Sequence, residues 1–398
     1  MSIIDFDRQI DRRGTNSLKY DFAVERGKPA DVLPLWVADM DFSAPRPVLD
    51  ALHRVVEHGI FGYSEVKEDY FDAVCAWFAQ RFDWKPRPEW LVKTPGVVYA
   101  LAMAVRALSR RGDSVLIQPP VYYPFFSVIR DNDRRIVESE LIYRDGRYEI
   151  DFEDFERKII RHSVKLFLLC SPHNPVGRVW TRKELRRLGE ICMRHGVYVV
   201  SDEIHCDFAF DGHVHHIFPE ACPELAARSI VCTAPSKTFN LAGLQVSNIF
   251  IPDEGMRRAF IREIERSGYS QLNALGLVAC RAAYSEGGPW LATCRSYLRE
   301  NLAFLRDFLA QRLPQIRLVE PEGTYFAWLD CSALGLSEKE LDDLILHRAK
   351  LWLDTGRIFG KSAGQFQRVV LACPRATLRQ ALEQLERAIQ STFKENEY

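Results

Sequence analysis

The chain has 398 residues, 47% of them apolar, enough to bury a sizeable core, and its length favours one large domain with a smaller companion. Its 53 basic and 54 acidic side chains leave a net charge of -1, which gives no reason to expect nucleic acid or an anionic membrane surface as partner. The 10 cysteines are scattered without a C-x-x-C pair, which argues against a zinc site and a disulfide framework and fits a reducing cytoplasm.

The opening "MSIIDFDRQIDRRG" carries charges where a signal peptide needs its apolar segment, and no apolar run approaches the roughly 20 residues that span a bilayer. Residues 1–45, rich in turn formers and aromatics, read as an arm that packs on the smaller domain. Two helices come next, Val48 to His58 and Tyr70 to Arg81.

Seven short apolar runs then predict strands: "WLVKT", "SVLIQ", "RIVESEL", "KLFLLC", "VYVVSD", "SIVCTA" and "SNIFI". Several are continuously apolar and alternate with helix-like segments such as Lys183 to His195. That pattern predicts an α/β fold whose large domain, residues 46–283, is a mostly parallel seven-stranded sheet covered by helices on both faces. A long helical region from about Gly255 to Leu313 leads into "IRLVEP", "TYFAWLD" and "RVVLACP", with helices near Glu338 to Lys350 and Ala376 to Phe393. This is the pattern of a smaller α+β domain over residues 284–398.

In open α/β sheets, ligands bind beyond the carboxyl ends of the strands. "KLFLLC" leads into "SPHNPVG", which presents Asn174; "VYVVSD" ends on Asp202; "SIVCTA" leads through "PS" to Lys237. "WLVKT" leads through Pro-Gly into a helix, leaving free backbone N–H groups and a positive dipole end at Gly96, Val97 and Val98, suited to a phosphate.

Singly, each of these has an ordinary explanation: a helix cap, a turn residue, a helix start, a solvated lysine. Together they describe what pyridoxal 5'-phosphate requires. A lysine amine holds its aldehyde as a Schiff base, and a helix N-terminus takes the phosphate. A carboxylate keeps the ring nitrogen protonated so that the ring acts as an electron sink, and an amide donor bonds the phenolate oxygen.

The order Asn174, Asp202, Lys237 resembles the fold type I, or aspartate aminotransferase, superfamily of pyridoxal-phosphate enzymes over essentially the whole chain. The wording "LPLWVADMDF", "HGIFGY", "PPVYYPFF", "SPHNPVGRVWT", "SDEIHCD", "PSKTFNLAGL" and "ACPRATL" is similar to its cystathionine β-lyase branch, the MalY/PatB-like C–S lyases.

The resemblance implies that Lys237 is the Schiff-base lysine and that Asp202 partners the pyridine nitrogen. Asn174 bonds the phenolate oxygen, Tyr122 stacks on the ring, and Val97 and Val98 N–H groups with the Ser236 hydroxyl hold the phosphate. It further implies that Tyr63 reaches the phosphate of a neighbouring subunit, hence a homodimer with shared sites. Arg375 is expected to clamp the α-carboxylate of a small amino-acid substrate as a bidentate pair. Tyr123, Trp36, Asp39 and Asp41 are expected to line the pocket.

His205 stands where aminotransferases carry a tyrosine bonding the phenolate oxygen, which places it among the cofactor residues. Gln245 stands where they often place an arginine on the phosphate, so the phosphate charge balance is left open. His205, His213, His215 and His216 match no metal spacing. The implied activity is cleavage of the Cβ–S bond of L-cystathionine or a related S-substituted cysteine to a thiol, pyruvate and ammonia. The alternatives are a class I/II aminotransferase, or a lyase with an added regulatory binding role.

Overall fold

Alternation along single strands decides how the central sheet is covered. In Leu166–Cys170, Leu166, Leu168 and Cys170 pack into one apolar cluster while Phe167 and Leu169 pack into another on the opposite face. All five residues are buried, so this segment sits in the middle of a sheet with no solvated face. Truncating Leu168 to alanine there costs about 2–5 kcal/mol.

The computed structural model describes residues 4–395. Each of the seven expected strands belongs to one sheet, in the order Leu91–Thr94, Ser247–Phe250, Ser229–Thr233, Tyr198–Asp202, Leu166–Cys170, Ser114–Ile117, Arg135–Glu138. Ser247–Phe250 runs antiparallel to both of its neighbours, and the remaining pairs are parallel. Val97–Leu108 and Glu254–Arg266 pack together on one face, and Phe152–His162 and Arg182–Arg194 on the other.

The segment read as "RIVESEL" ends its strand at Glu138, and a separate hairpin of Ile142–Arg144 and Arg147–Glu149 comes after it. The expected long helical region divides into Glu254–Arg266, Ala274–Glu286 and Gly288–Arg312. Gly268, at φ +75, lies just past the first, and Pro289 at the start of the third has no N–H to continue the second.

Beyond them, Arg317–Val319, Phe326–Asp330, Phe366–Val370 and Asp354–Thr355 form a four-stranded antiparallel sheet. Ser337 and Glu340 build a capping box that starts the helix Glu338–Asp343, which continues as a π turn, Leu344–Arg348. The arm strand Leu33–Pro34 pairs in parallel with Leu351–Trp352, so the arm docks on the C-terminal part of the chain. Among the described residues no helix is long and apolar enough to cross a membrane, and no group of His, Cys, Asp and Glu is arranged to hold a metal. All ten cysteines are free thiols.

Candidate active site

Three parallel neighbours of the large sheet each end on a residue that faces one cavity of about 400 Å³. Asp202 closes Tyr198–Asp202, Asn174 lies in the turn after Leu166–Cys170, and Lys237 lies on the short helix Pro235–Thr238 after Ser229–Thr233. That helix is pinned from behind. The Thr238 hydroxyl donates to Asp207 at 2.8 Å, and Arg81 donates to the same carboxylate at 2.6 Å. Tyr122, Ser236 and His205 join the cavity lining.

Burial dominates the electrostatics. It lowers Lys237 to about 8, with Asp39 opposing and Arg368 adding to the shift. It raises Asp202 to about 7, against the Ile204 N–H that donates to its carboxylate at 3.2 Å. Asp202 has no ion pair among the described residues, so its negative charge is stabilised only by that backbone donor and the field of Lys237. A cationic ring nitrogen is the partner such a carboxylate lacks. His205 is pushed well below its usual range by burial and by the Lys237 and Arg368 charges. It sits as a neutral ring edge-on to Tyr325 and Phe326.

At the far end of the cavity lies the start of Val97–Leu108, where Gly96 has no side chain to cap the first turn. The N–H groups of Val97, Val98 and Tyr99 precede the first intrahelical bond, which runs from Ala100 to Gly96, and are the orphan donors that suit an anion. Apart from Lys237, no arginine or lysine lines the cavity among the described residues. Phosphate charge there falls to the helix terminus, Ser236 and the neutral Gln245.

The arginine expected to hold a substrate carboxylate is placed elsewhere. Arg375 starts the helix Arg375–Glu395, gives its Nε–H to Asn301 at 2.6 Å and lays its guanidinium over Phe304 at 5.0 Å, outside the cavity lining. Arg368, on Phe366–Val370, is instead the arginine whose charge acts on Lys237 and His205 from just behind the lining. It is 2% exposed, donates to Asn174 Oδ1 at 2.9 Å and to the Trp36 carbonyl at 2.9 Å, pairs with Asp354, and leaves its Nε–H without a partner. An arginine inside the apolar run "FQRVVLAC" was the available signal, because a charge is rarely buried without a specific partner.

Asn174 gives its carbonyl oxygen to Arg368, so its amide nitrogen is the group left for a ligand. Asp39 does not line this cavity: Arg12 takes its carboxylate at 2.6 Å and Lys19 stands 3.7 Å away. Asp41 is likewise held, by Lys19 and Arg12 at 2.8 Å and by the Tyr20 hydroxyl at 3.0 Å. The Trp36 ring stacks on Trp352 at 4.3 Å, and its carbonyl accepts from Arg368. Tyr123 lies against Tyr122 and Phe359 beside the lining residues. Tyr63 is 97% exposed and does not belong to this chain's own cavity lining. A contributor with no side-chain signal in the sequence is the Ala38 carbonyl, which accepts from Lys237 Nζ at 2.8 Å and from the Tyr325 hydroxyl at 2.9 Å.

Comparison with known proteins gives the same picture. Residues 30–385 match the family Aminotransferase class I and II. The chain is 45% identical to cystathionine beta-lyase PatB of Bacillus subtilis (strain 168), over 97% of this chain and 100% of that protein. It is 32% identical to Protein MalY of Escherichia coli (strain K12), over 98% of this chain and 100% of that one. Among solved structures, cystalysin from Treponema denticola, which contains a pyridoxal 5'-phosphate cofactor, superposes with a TM-score of 0.95 at 37% identity, covering 98% of this chain and 100% of that one. The PLP-bound C–S lyase from Staphylococcus hominis superposes with a TM-score of 0.91 at 34% identity, covering 97% and 98%. The chain therefore belongs to the class I and II aminotransferase family.

Proposed function

We propose that the protein is a pyridoxal-5'-phosphate-dependent carbon–sulfur β-lyase. It cleaves the Cβ–S bond of L-cystathionine or a related S-substituted cysteine, consuming one water and releasing a thiol, pyruvate and ammonia. One observation carries the reading. A buried amine with a lowered pKa and a buried, unpaired carboxylate share one cavity with an uncapped helix start. The relatives named cystathionine beta-lyase and C–S lyase support elimination as the outcome.

The residues fit the cofactor. Lys237 would hold its aldehyde, Asp202 its ring nitrogen, and the Val97 and Val98 N–H groups with the Ser236 hydroxyl its phosphate; Asn174 and Tyr122 would hold its phenolate oxygen and ring face. When bound, the cofactor supplies an electron sink conjugated to the substrate Cα. Lys237, with its amine near 8, takes the Cα proton at Nζ when substrate displaces it, being matched to neutral pH as a base. Asp202 would supply the negative charge that a cationic ring nitrogen needs. Arg368 offers its unpartnered Nε–H to the α-carboxylate, and its contacts with Asn174 and Trp36 fix the guanidinium plane.

Pyruvate assays test this. Release from cystathionine without any added keto acid is expected; a strict requirement for a keto acid acceptor overturns elimination in favour of transamination. A barrier difference of about 1.4 kcal/mol already gives a tenfold preference between the two outcomes.

We infer in addition a homodimer. Ile60, Phe61 and Tyr63 are 71%, 61% and 97% exposed on one loop, an apolar surface that a second copy would cover while bringing Tyr63 to the partner's phosphate end. Free thiols at all ten cysteines support a reducing, cytoplasmic setting. Pairing of Leu33–Pro34 with Leu351–Trp352 supports a division into an arm (1–45), a large domain (46–283) and a small domain (284–398).

A further inference from the structure

The cavity explains how one end of an S-substituted cysteine is held and leaves open what receives the other. L-Cystathionine carries a second carboxylate on its leaving thiol; fully extended, its two carboxyl carbons stand roughly 8–9 Å apart across seven bonds. A cation without a carboxylate partner, near Arg368, suits that span.

Arg26 meets these conditions. It lies in a tight turn of the arm in which Arg26, Gly27 and Lys28 N–H groups bond back to Phe22, Val24 and Ala23 carbonyls. Its guanidinium lies 5.4 Å over the Trp36 ring, and the carbonyl of that same tryptophan is 2.9 Å from Arg368. Arg26 and Arg368 both act on the Tyr123 hydroxyl, easing the rise that burial imposes, so all three stand in one neighbourhood. Nearby, Asp31 pairs with Lys350 at 3.3 Å, and the Lys28 charge acts on the buried Asp354. No carboxylate pairs with Arg26 among the described residues. Its guanidinium has five N–H donors, and the indole face beneath it leaves the in-plane donors open to an anion.

We propose that Arg26 is a specificity-determining residue that receives the distal carboxylate of the substrate, so that the lyase favours S-substituted cysteines bearing an acidic leaving thiol over neutral S-alkyl cysteines. The proposal rests on the lyase reading and concerns only its substrate class.

The test compares L-cystathionine with S-butyl-L-cysteine on the cofactor-loaded wild type, Arg26→Gln and Arg26→Lys. The ratio of kcat/KM for the two substrates falls about fivefold or more in Arg26→Gln, the size of a solvent-accessible ion pair, and Arg26→Lys recovers part of it. In the wild type that ratio also falls as salt rises, which a purely structural arginine would not produce. A ratio within about twofold of wild type in Arg26→Gln, or a salt-independent ratio, overturns the proposal. Dissociation constants from the absorbance change of the bound cofactor are measured in parallel. If no pyruvate is released from either substrate, the lyase reading fails, and the binding ratio still decides whether Arg26 reads the distal carboxylate.

Discussion

Lys237 and Asp202 face the same cavity, yet the Lys237 amine donates to the Ala38 carbonyl at 2.8 Å and makes no hydrogen bond to Asp202. The two groups act on each other only through space, each weakly favouring the charged form of the other against a larger effect of burial. They are therefore separately available, one to an aldehyde and one to a ring nitrogen.

Lys237→Ala is expected to abolish both pyruvate release and the yellow absorbance that accompanies cofactor binding. The variant should stay folded, because removing a buried amine also removes its desolvation cost. Turnover at the wild-type rate without that amine would falsify the mechanism.

Asp202 gives a pH signature in the cofactor-free protein. Its carboxyl is raised from 3.8 to about 7, so the fold favours the protonated form. This contribution is complete below the unfolded value and is lost as pH rises through about 7. Asp202→Asn escapes the loss. Its stability relative to wild type should grow between pH 4 and pH 7, toward a limit on the order of 4 kcal/mol, as read by urea denaturation. Cofactor affinity should change the other way, with the asparagine variant binding more weakly at pH 7.

Arg368 and Arg375 are separable by kinetics. Arg368→Lys should raise KM about tenfold or more, because a lysine cannot reproduce a planar guanidinium held by Asn174, Trp36 and Asp354. Arg375→Lys should leave KM nearly unchanged and cost about 1 kcal/mol of stability through the lost Asn301 bond. The reverse pattern in steady-state assays and thermal melts would restore Arg375 to the substrate.

The proposed sharing of sites predicts complementation. Tyr63→Ala and Lys237→Ala chains, inactive or weak alone, should regain about one quarter of wild-type activity when co-refolded, since random pairing yields hybrids with one intact site. Activity no greater than the sum of the separate variants would place Tyr63 outside catalysis.

The sheet and its strand-end residues were legible because both are local. "KLFLLC" and "SIVCTA" are continuous apolar runs, and a residue just past a central strand in an α/β fold already stands near a site. Arg368 was legible only as a charge inside an apolar run; its contacts were not, since Asn174 and Trp36 lie 194 and 332 residues away. The Arg12 contact of Asp39 was hidden for the same reason, its partner lying 27 residues away. The expected 338–350 helix ends at Asp343 and continues as a π turn, Leu344–Arg348, that packs on Leu351–Trp352 and on the last helix, contacts that no local pattern marks.

The Ala38 carbonyl gives the arm a place in the chemistry. Arg12 binds Asp39 and the Met40 carbonyl, and Asn240 grips the backbone at Met40 and Phe42, so the strip that orients the amine is laced to the arm on one side and to the segment just after Lys237 on the other. A fragment starting at residue 46 would retain every strand of the seven-stranded sheet and still present its lysine to the wrong direction. The minimal catalytic unit thus includes a stretch that has almost no regular structure of its own.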